Sequence, residues 1–186
     1  MLTLLTGDFM KASRYRHLIG IDVGFANTGI VVFDTKSKKF VYSATVTTKQ
    51  DKKRSTVVDI YQRIHETMSV LYRLTKQFPT SHIVAEMPTG GGQGAIPLRA
   101  MAAATGAIAA FMSCQNLTLN MVTPTQTKRL VKPKGKVSKE EVQEYVEERL
   151  SRFDFFYSSD TKAIKEHIAD AAAALLACPI TAKYFK

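Results

Sequence analysis

The chain has 186 residues, of which 45% are hydrophobic, enough to bury a core in one ordinary domain without disulfides. Lys and Arg total 26 against 16 Asp and Glu, a net charge of +10 that predicts a polyanionic partner, either nucleic acid or an acidic membrane. The apolar stretches are interrupted before the roughly 20 residues of a membrane span. We therefore expect neither a membrane anchor nor a secretory signal.

The first 16 residues show no sustained periodicity and end in KASRYR, so we predict a flexible basic arm at 1–16 ahead of a single domain at 17–186. The two cysteines, Cys114 and Cys178, stand in apolar helical settings. This placement predicts buried free thiols in a reducing compartment, the cytoplasm of a cell, including one that hosts a virus.

Short β-branched runs predict three antiparallel strands in HLIGIDVG, TGIVVFDT and KFVYSATV. Helical spacing of apolar residues then predicts an amphipathic helix between Thr56 and Phe78. The run SHIVAEM predicts a buried strand, and a glycine-rich loop from Thr89 to Gly94 follows it. That loop is either a lip over a crevice or a plain connector.

The second half of the chain predicts a helix at 97–114, a strand at 117–122, and then helices. T-P-T-Q from Thr123 and S-K-E-E from Ser138 are capping boxes, and the second opens a helix at 139–150. The last helix spans about 161–177, with Ile164, Ile168, Ala171 and Leu175 as its buried stripe. The order predicts an α/β fold with a five-stranded mixed sheet, three antiparallel strands plus two parallel, flanked by helices on both faces.

Two carboxylates end apolar strands. Asp22 closes IGID and Glu86 closes IVAE, and the carboxyl edge of an open α/β sheet is where ligand sites form. A charge there loses water unless it binds a cation or accepts hydrogen bonds. The alternatives are a turn-capping aspartate and a solvent-facing glutamate.

A third candidate is HIAD near the end of the chain, where His167 and Asp170 lie three residues apart and so on one side of a helix. Taken alone, such a pair is more often a surface feature than a metal site. Together with Asp22 and Glu86, it predicts an oxygen-rich pocket suited to Mg²⁺ or Mn²⁺ rather than to zinc.

Four segments in order resemble a known family: IGIDVGFANTG, VAEMPTGGGQGA, TPTQTKRLVKPKGKVSKEEV and HIADAAAALLA. They resemble the RuvC-like Holliday-junction resolvases of the RNase H-like superfamily, in bacterial or phage form, over roughly residues 17–178. The resemblance implies that Asp22, Glu86, His167 and Asp170 are catalytic ligands of two Mg²⁺ or Mn²⁺ ions. It also implies catalytic roles near the scissile phosphate for Lys128 and Lys139, and it places Met87 close to the aromatic wedge that unstacks the junction in that family.

The position of Lys139 independently favours a bound phosphate. A cation in the first turn of a helix opposes the helix dipole, and an anion bound at that helix start would offset this cost. The wider basic run is predicted to contact DNA, or else to be a solvated loop. Its members are Lys128, Arg129, Lys132, Lys134, Lys136 and Lys139.

The resemblance implies a homodimer that resolves four-way DNA junctions by paired symmetric nicks, through two-metal-ion hydrolysis that leaves 5′-phosphate and 3′-hydroxyl ends. Residues 57–78 and 97–114 are the candidate interface helices. Two alternatives stay open: a nuclease of the same fold that acts on other branched or flapped DNA or on hybrids, and a protein that binds junctions without cutting them.

Overall fold

A computed structural model describes residues 15–79, 81–88 and 94–186. Within these residues the strands are β1 (His17–Asp22), β2 (Asn27–Asp34), β3 (Lys39–Thr47), β4 (Ser81–Glu86) and β5 (Thr118–Val122). They form one sheet in the order β3-β2-β1-β4-β5. The first three are antiparallel, whereas β4 and β5 run parallel to β1, which confirms the predicted mixed sheet.

Helices cover both faces of the sheet, as predicted. Their bounds are α1 (Thr56–Gln77), α2 (Ala95–Cys114), α3 (Pro124–Val131), α4 (Lys139–Leu150), α5 (Lys162–Ala177) and α6 (Pro179–Ala182). One face packs on α1 and α2, and the other packs on α5, with α3 and α4 beyond it. Because β1, β2 and β4 are buried on both faces, their sequences are nearly continuous apolar runs.

Both predicted capping boxes are present. The Thr123 side chain accepts from the Gln126 backbone, and the Gln126 side chain accepts in return from the Thr123 backbone at 2.8 Å. Ser138 and Glu141 form the same reciprocal pair, so α3 and α4 begin where the sequence indicates.

Helix α5 differs from the predicted one-sided stripe. Ile168, Ala169 and all residues from Ala171 to Leu176 are buried, because α5 lies between the sheet and the α3–α4 layer, and Asp170 between them is only partly buried. Ile164 is only partly buried. Alanine at most of these positions gives the helix a narrow cross-section, which lets it fit between two layers.

The predicted arm falls mostly on residues 1–14, which lie outside the described residues, as do residues 89–93 of the glycine-rich loop. Tyr15 and Arg16, which the prediction also assigned to the arm, contact the domain. The Arg16 guanidinium lies 2.6 Å from the Asp34 carboxylate, and the Tyr15 hydroxyl lies 3.1 Å from that of Thr118.

Helix α2 corrects two expectations. With 20 residues and a mean hydropathy of 1.5, it is long and apolar enough to cross a membrane, contrary to the expectation that no such stretch exists. Alanines and Gly106 make most of this helix apolar, and Arg99 is its single charged residue. One side packs on the sheet through Ala104, Ile108 and Met112.

The second correction concerns the thiols. Both cysteines are free, and Cys178 is buried as predicted. Cys114 is exposed, because it is the last residue of α2 and lies on the side of the helix that faces away from the sheet.

Candidate active site

The carboxyl edge of the sheet brings the first two predicted residues together. Asp22 and Glu86 are the last residues of the adjacent parallel strands β1 and β4, and they stand directly opposite each other in the register. The Glu86 residue is 8% exposed, and the Asp22 side chain is 15% exposed. Two acids therefore share one largely buried position at the edge of the sheet.

Two glycines in the sheet let α5 bring the other two residues to this edge. A Cβ on Gly20 would lie 2.2 Å from the Ala171 carbonyl oxygen, and a Cβ on Gly29 would lie 1.9 Å from the His167 carbonyl oxygen. Neither position can accommodate any side chain while the helix backbone stays where it is. The backbone of α5 thus rests directly on β1 and β2, and His167 and Asp170 are held over Asp22.

The direct contact within the set is between His167 and Asp22. His167 Nδ1 donates to Asp22 Oδ2 over 2.7 Å. This hydrogen bond raises the pKa of the imidazole, against the effect of burial, and the negative charges of Asp22 and Asp170 add to the increase. The histidine ring is therefore oriented towards Asp22.

The remaining acids have perturbed pKa values. Burial raises the pKa of Glu86 to about 7; the Thr127 hydroxyl opposes this increase, and the charges of Asp170 and Asp22 add to it. Burial, followed by the charge of Asp22, raises the pKa of Asp170 to about 6. Two carboxyl groups whose pKa values are raised by burial and by neighbouring acids are typical of a functional site.

A divalent cation fits this set. Glu86 Oε2 is buried and has no hydrogen-bond partner among the described residues. A cation would satisfy that oxygen and relieve the repulsion between the acids, and oxygen donors with one imidazole suit Mg²⁺ or Mn²⁺. The side chains are not already arranged for binding, since no three His, Cys, Asp or Glu groups in the described part of the chain converge closely enough to hold an ion.

Thr127 was not predicted from the sequence. It is 3% exposed on α3, its hydroxyl donates to the Pro124 carbonyl at 3.1 Å, and the same hydroxyl lowers the pKa of Glu86. The signal in the sequence was the capping box at Thr123, which fixes where α3 begins and therefore which residue of its first turn faces β4.

The predicted basic residues lie on α3, on α4 and on the loop between them. Lys128 is exposed on α3, and its charge lowers the pKa of Glu86. Lys139 Nζ lies 2.8 Å from Glu166 Oε2, and this bond raises the pKa of Lys139. Lys132 is paired with Glu141. The other three are exposed: Arg129, Lys134 and Lys136.

Met87 does not fit its predicted contact with DNA. It is 8% exposed and packs in the core between the sheet and α1 and α2, because the chain continues inward for one residue after β4, with the Met87 backbone bonded to Val122.

The sequence model of one family, crossover junction endodeoxyribonuclease RuvC, matches residues 18–178. No curated protein sequence matches significantly.

Two solved structures of Thermus thermophilus RuvC are similar to this chain, each at 19% identity. The one in complex with a Holliday junction substrate has a TM-score of 0.69 and is matched over 91% of this chain and 96% of its own. The other has a TM-score of 0.67, with 90% and 95% covered. These similarities confirm the predicted RNase H-like fold. With a family match over most of its length and that fold, the chain belongs to the RuvC family of crossover junction endodeoxyribonucleases.

Proposed function

We propose that this protein is an endodeoxyribonuclease that resolves four-way DNA junctions by paired symmetric nicks. Its family membership gives the reaction class, and the T. thermophilus relative was solved with a Holliday junction substrate. The observation that carries the proposal is the position of Asp22 beside Glu86 at the carboxyl edge, with His167 and Asp170 held over them by α5.

The cofactor we propose is a pair of Mg²⁺ or Mn²⁺ ions held by Asp22, Glu86, His167 and Asp170. When bound, divalent ions ready a water molecule for in-line attack on a phosphodiester and neutralise the departing 3′ oxygen, leaving 5′-phosphate and 3′-hydroxyl ends. The protein keeps the four residues at one edge of the sheet, because the backbone of α5 rests on β1 and β2.

Two lysines are placed to bind the scissile phosphate. The charge of Lys128 lowers the pKa of Glu86, and the charges of Asp170 and Asp22 raise the pKa of Lys139, so both ammonium groups interact electrostatically with the acids. The Lys139 side chain is 61% exposed and is paired with Glu166. A phosphate can replace Glu166 as the partner of this ammonium group. Both would stabilise negative charge on the phosphate in the transition state.

The homodimer remains a proposal, and the outer surface of α2 supports it. Ala102, Gly106 and Ala110 are exposed at four-residue spacing, so the backbone of a second helix can approach closely. Large apolar side chains are also exposed on α1 and α2: Val57 77%, Val58 50%, Tyr61 67%, Ile96 56% and Leu98 53%. Exposed apolar side chains in this number favour an interaction site.

Oligomeric state and nick pairing test the dimer together. We expect Ala110→Glu to sediment as a monomer and to make single, unpaired nicks, because a charge in the centre of an apolar interface is costly. Ser37→Glu, in the exposed turn after β2, adds the same charge elsewhere and should remain dimeric. A wild type that is monomeric at working concentration would contradict the dimer.

Cleavage of matched synthetic substrates tests the function. The four substrates are a four-way junction, a flap, a linear duplex and an RNA–DNA hybrid, each with Mg²⁺ or Mn²⁺. We expect paired nicks at symmetric positions in the junction alone. Nicks in the flap or the hybrid at the same rate would instead favour a broader nuclease of this fold.

Asp22→Asn separates cutting from binding. The variant should bind the junction with wild-type affinity or better and should not cleave it, because one metal ligand is lost while the DNA surface is unchanged. A wild type that binds the junction and stays inactive with both metals would favour a protein that binds without cutting.

A further inference from the structure

The loop between β3 and α1 is a second strongly basic segment, separate from α3 and α4. It reads KQDKKR and contains Lys49, Lys52, Lys53 and Arg54 against the single acid Asp51. All four cations are exposed. We refer to residues 49–54 as the basic loop.

The basic loop lies at the same edge of the sheet as the acids. Asp22 pairs with Gly29 on β2, and Gly29 pairs with Thr45 on β3, so the end of β3 is two strands away from Asp22. Strand spacing makes that roughly 10 Å. On the other side of the acids, β5 leads into α3 and the basic residues there. The acids on β1 and β4 are thus flanked by one basic segment beyond β3 and another beyond β5.

The start of the basic loop is attached to the turn that follows Asp22. Thr48 donates its backbone N–H to the Ala26 carbonyl at 2.8 Å and its hydroxyl to the Phe25 carbonyl at 3.1 Å. Arg63 of α1 donates from Nε to the Thr48 hydroxyl at 3.0 Å and covers the Phe25 ring at 4.0 Å. The loop therefore has a fixed position relative to the first acid.

A buried ion pair holds the rest of the loop. Arg63 lies 3.6 Å from Asp59, and the two side chains are 11% and 7% exposed. Asp59 also accepts the Asp51 backbone N–H at 2.8 Å. Breaking such a pair by removing one partner is costly, so the loop is built to hold one conformation.

Three lysines of this fixed loop have no acidic partner. Among the residues that the structure describes, Lys49, Lys52 and Lys53 form no ion pair, in contrast to Lys132 and Lys139, which are both paired. Unpaired like charges in a fixed loop repel one another, and a row of phosphates would offset that repulsion.

We propose that the basic loop is a second phosphate-binding surface, so that the DNA backbone crosses the whole carboxyl edge and is held on both sides of the acids. This inference rests on the proposed function in taking DNA as the partner. The α3–α4 surface would hold the backbone on one side of the scissile phosphate, and the basic loop would hold it on the other.

The triple variant Lys49→Gln, Lys52→Gln, Lys53→Gln tests the surface. It leaves Asp51, Arg54 and the Arg63 contacts in place, so we expect it to fold. Each lost phosphate contact lowers the slope of log affinity against log salt by about 0.9, so we expect the slope to fall by about 2 to 3. Binding to a four-way junction is measured in Mg²⁺-free buffer at several salt concentrations, and cleavage is measured at saturating protein.

The control variant removes the same number of lysine charges at the opposite edge of the sheet. Its substitutions are Lys36→Gln, Lys76→Gln and Lys186→Gln. It should keep most of the wild-type slope. Equal slopes for the wild type and the loop variant would overturn the inference while leaving the nuclease proposal intact. Loop-dependent binding by a wild type that cuts no DNA would support the inference and refute the proposed function.

Ethylation interference with the wild-type protein tests the same idea without a substitution. We expect modified phosphates on both sides of the cut position to weaken binding. Interference confined to one side would overturn the inference.

Discussion

The two ends of the five-stranded sheet are built from opposite kinds of interaction. At the carboxyl end, Asp22, Glu86 and Asp170 are crowded so that burial and charge raise the pKa of two of them. At the other end, the Phe33 ring packs on three aromatic rings at 4.7 to 5.6 Å, those of Phe40, Phe153 and Phe185. The difference indicates that the aromatic end stabilises a fold whose carboxyl end is kept electrostatically unfavourable for its chemistry.

Removing an acid at the carboxyl end should lower activity and raise stability, so it separates the two properties most clearly. We expect Asp170→Asn to lower junction cleavage by about 10³-fold or more, a barrier increase of about 4 kcal/mol, because a metal ligand is lost. The metal-free variant should also unfold at a higher urea concentration, because a repelling charge is gone. Asp160→Asn, a fully exposed acid in the loop before α5, should change neither. Lower stability in Asp170→Asn would contradict the contrast between the two ends.

A substitution at the aromatic end should lower stability and leave activity nearly unchanged. We expect Phe33→Ala to lower the free energy of unfolding by about 3 to 5 kcal/mol, because its fully buried ring leaves a cavity among three others. Cleavage at a temperature where the variant stays folded should be close to that of the wild type. Urea denaturation measures the loss, and Phe156→Ala, at a side chain that is 42% exposed, is the control.

The pH dependence of stability should have opposite signs at the two ends. The folded pKa of Glu86 is about 7, above its ordinary value of 4.5, so the folded metal-free protein binds more protons than the unfolded chain between these pH values. Stability contributed by this group is therefore lost as pH rises from about 4.5 to 7, by on the order of 3 kcal/mol. Urea denaturation in chelator should show that Glu86→Gln removes this decrease.

His82, at the other end of β4, gives the contrasting case. It is 1% exposed, and burial lowers its pKa below the ordinary value of 6.5. The unfolded chain then binds more protons, so stability from this residue is lost as pH falls below about 6.5. His82→Gln should remove this loss, so that the decrease caused by Glu86 becomes steeper below about pH 6.5, where the two pH ranges overlap. If Glu86→Gln and His82→Gln changed the pH dependence of stability in the same way, the assignment of opposite effects to the two residues would be contradicted.

The contact between α5 and the sheet gives the smallest of these effects. We expect Gly29→Ala to lower cleavage by about 100-fold, roughly 2.7 kcal/mol, because its Cβ would displace the His167 backbone. The loss should be larger in turnover than in junction affinity. Ser43→Ala on β3, which makes a side chain smaller, is the control, and wild-type turnover in Gly29→Ala would mean that α5 is not held by this contact.

Local patterns made much of this fold predictable. The capping boxes at Thr123 and Ser138 act within one helical turn, so the sequence places both helix starts. Asp22 and Glu86 could be proposed as neighbours because each ends an apolar strand. A glycine inside a strand indicates close approach of another backbone, and Gly20 and Gly29 are two such glycines, which the prediction of the α5 position did not include.

Contacts between distant segments could not be predicted in this way. No local pattern links Lys139 to Glu166, or Arg63 to the turn after Asp22, because these pairs form only once the sheet has set the helices in place. For the same reason the sequence alone does not single out the basic loop. Its position beside the acids depends on the register of three strands.

The contact of α5 with Gly20 and Gly29 has a consequence for how the enzyme responds to heat and to sequence change. Main-chain atoms meet main-chain atoms there, so no rotamer can relax to alter the gap between helix and sheet. The side chains proposed to bind metal are therefore attached to a stiff backbone, and we expect activity to persist almost undiminished up to the melting transition and then to vanish with it.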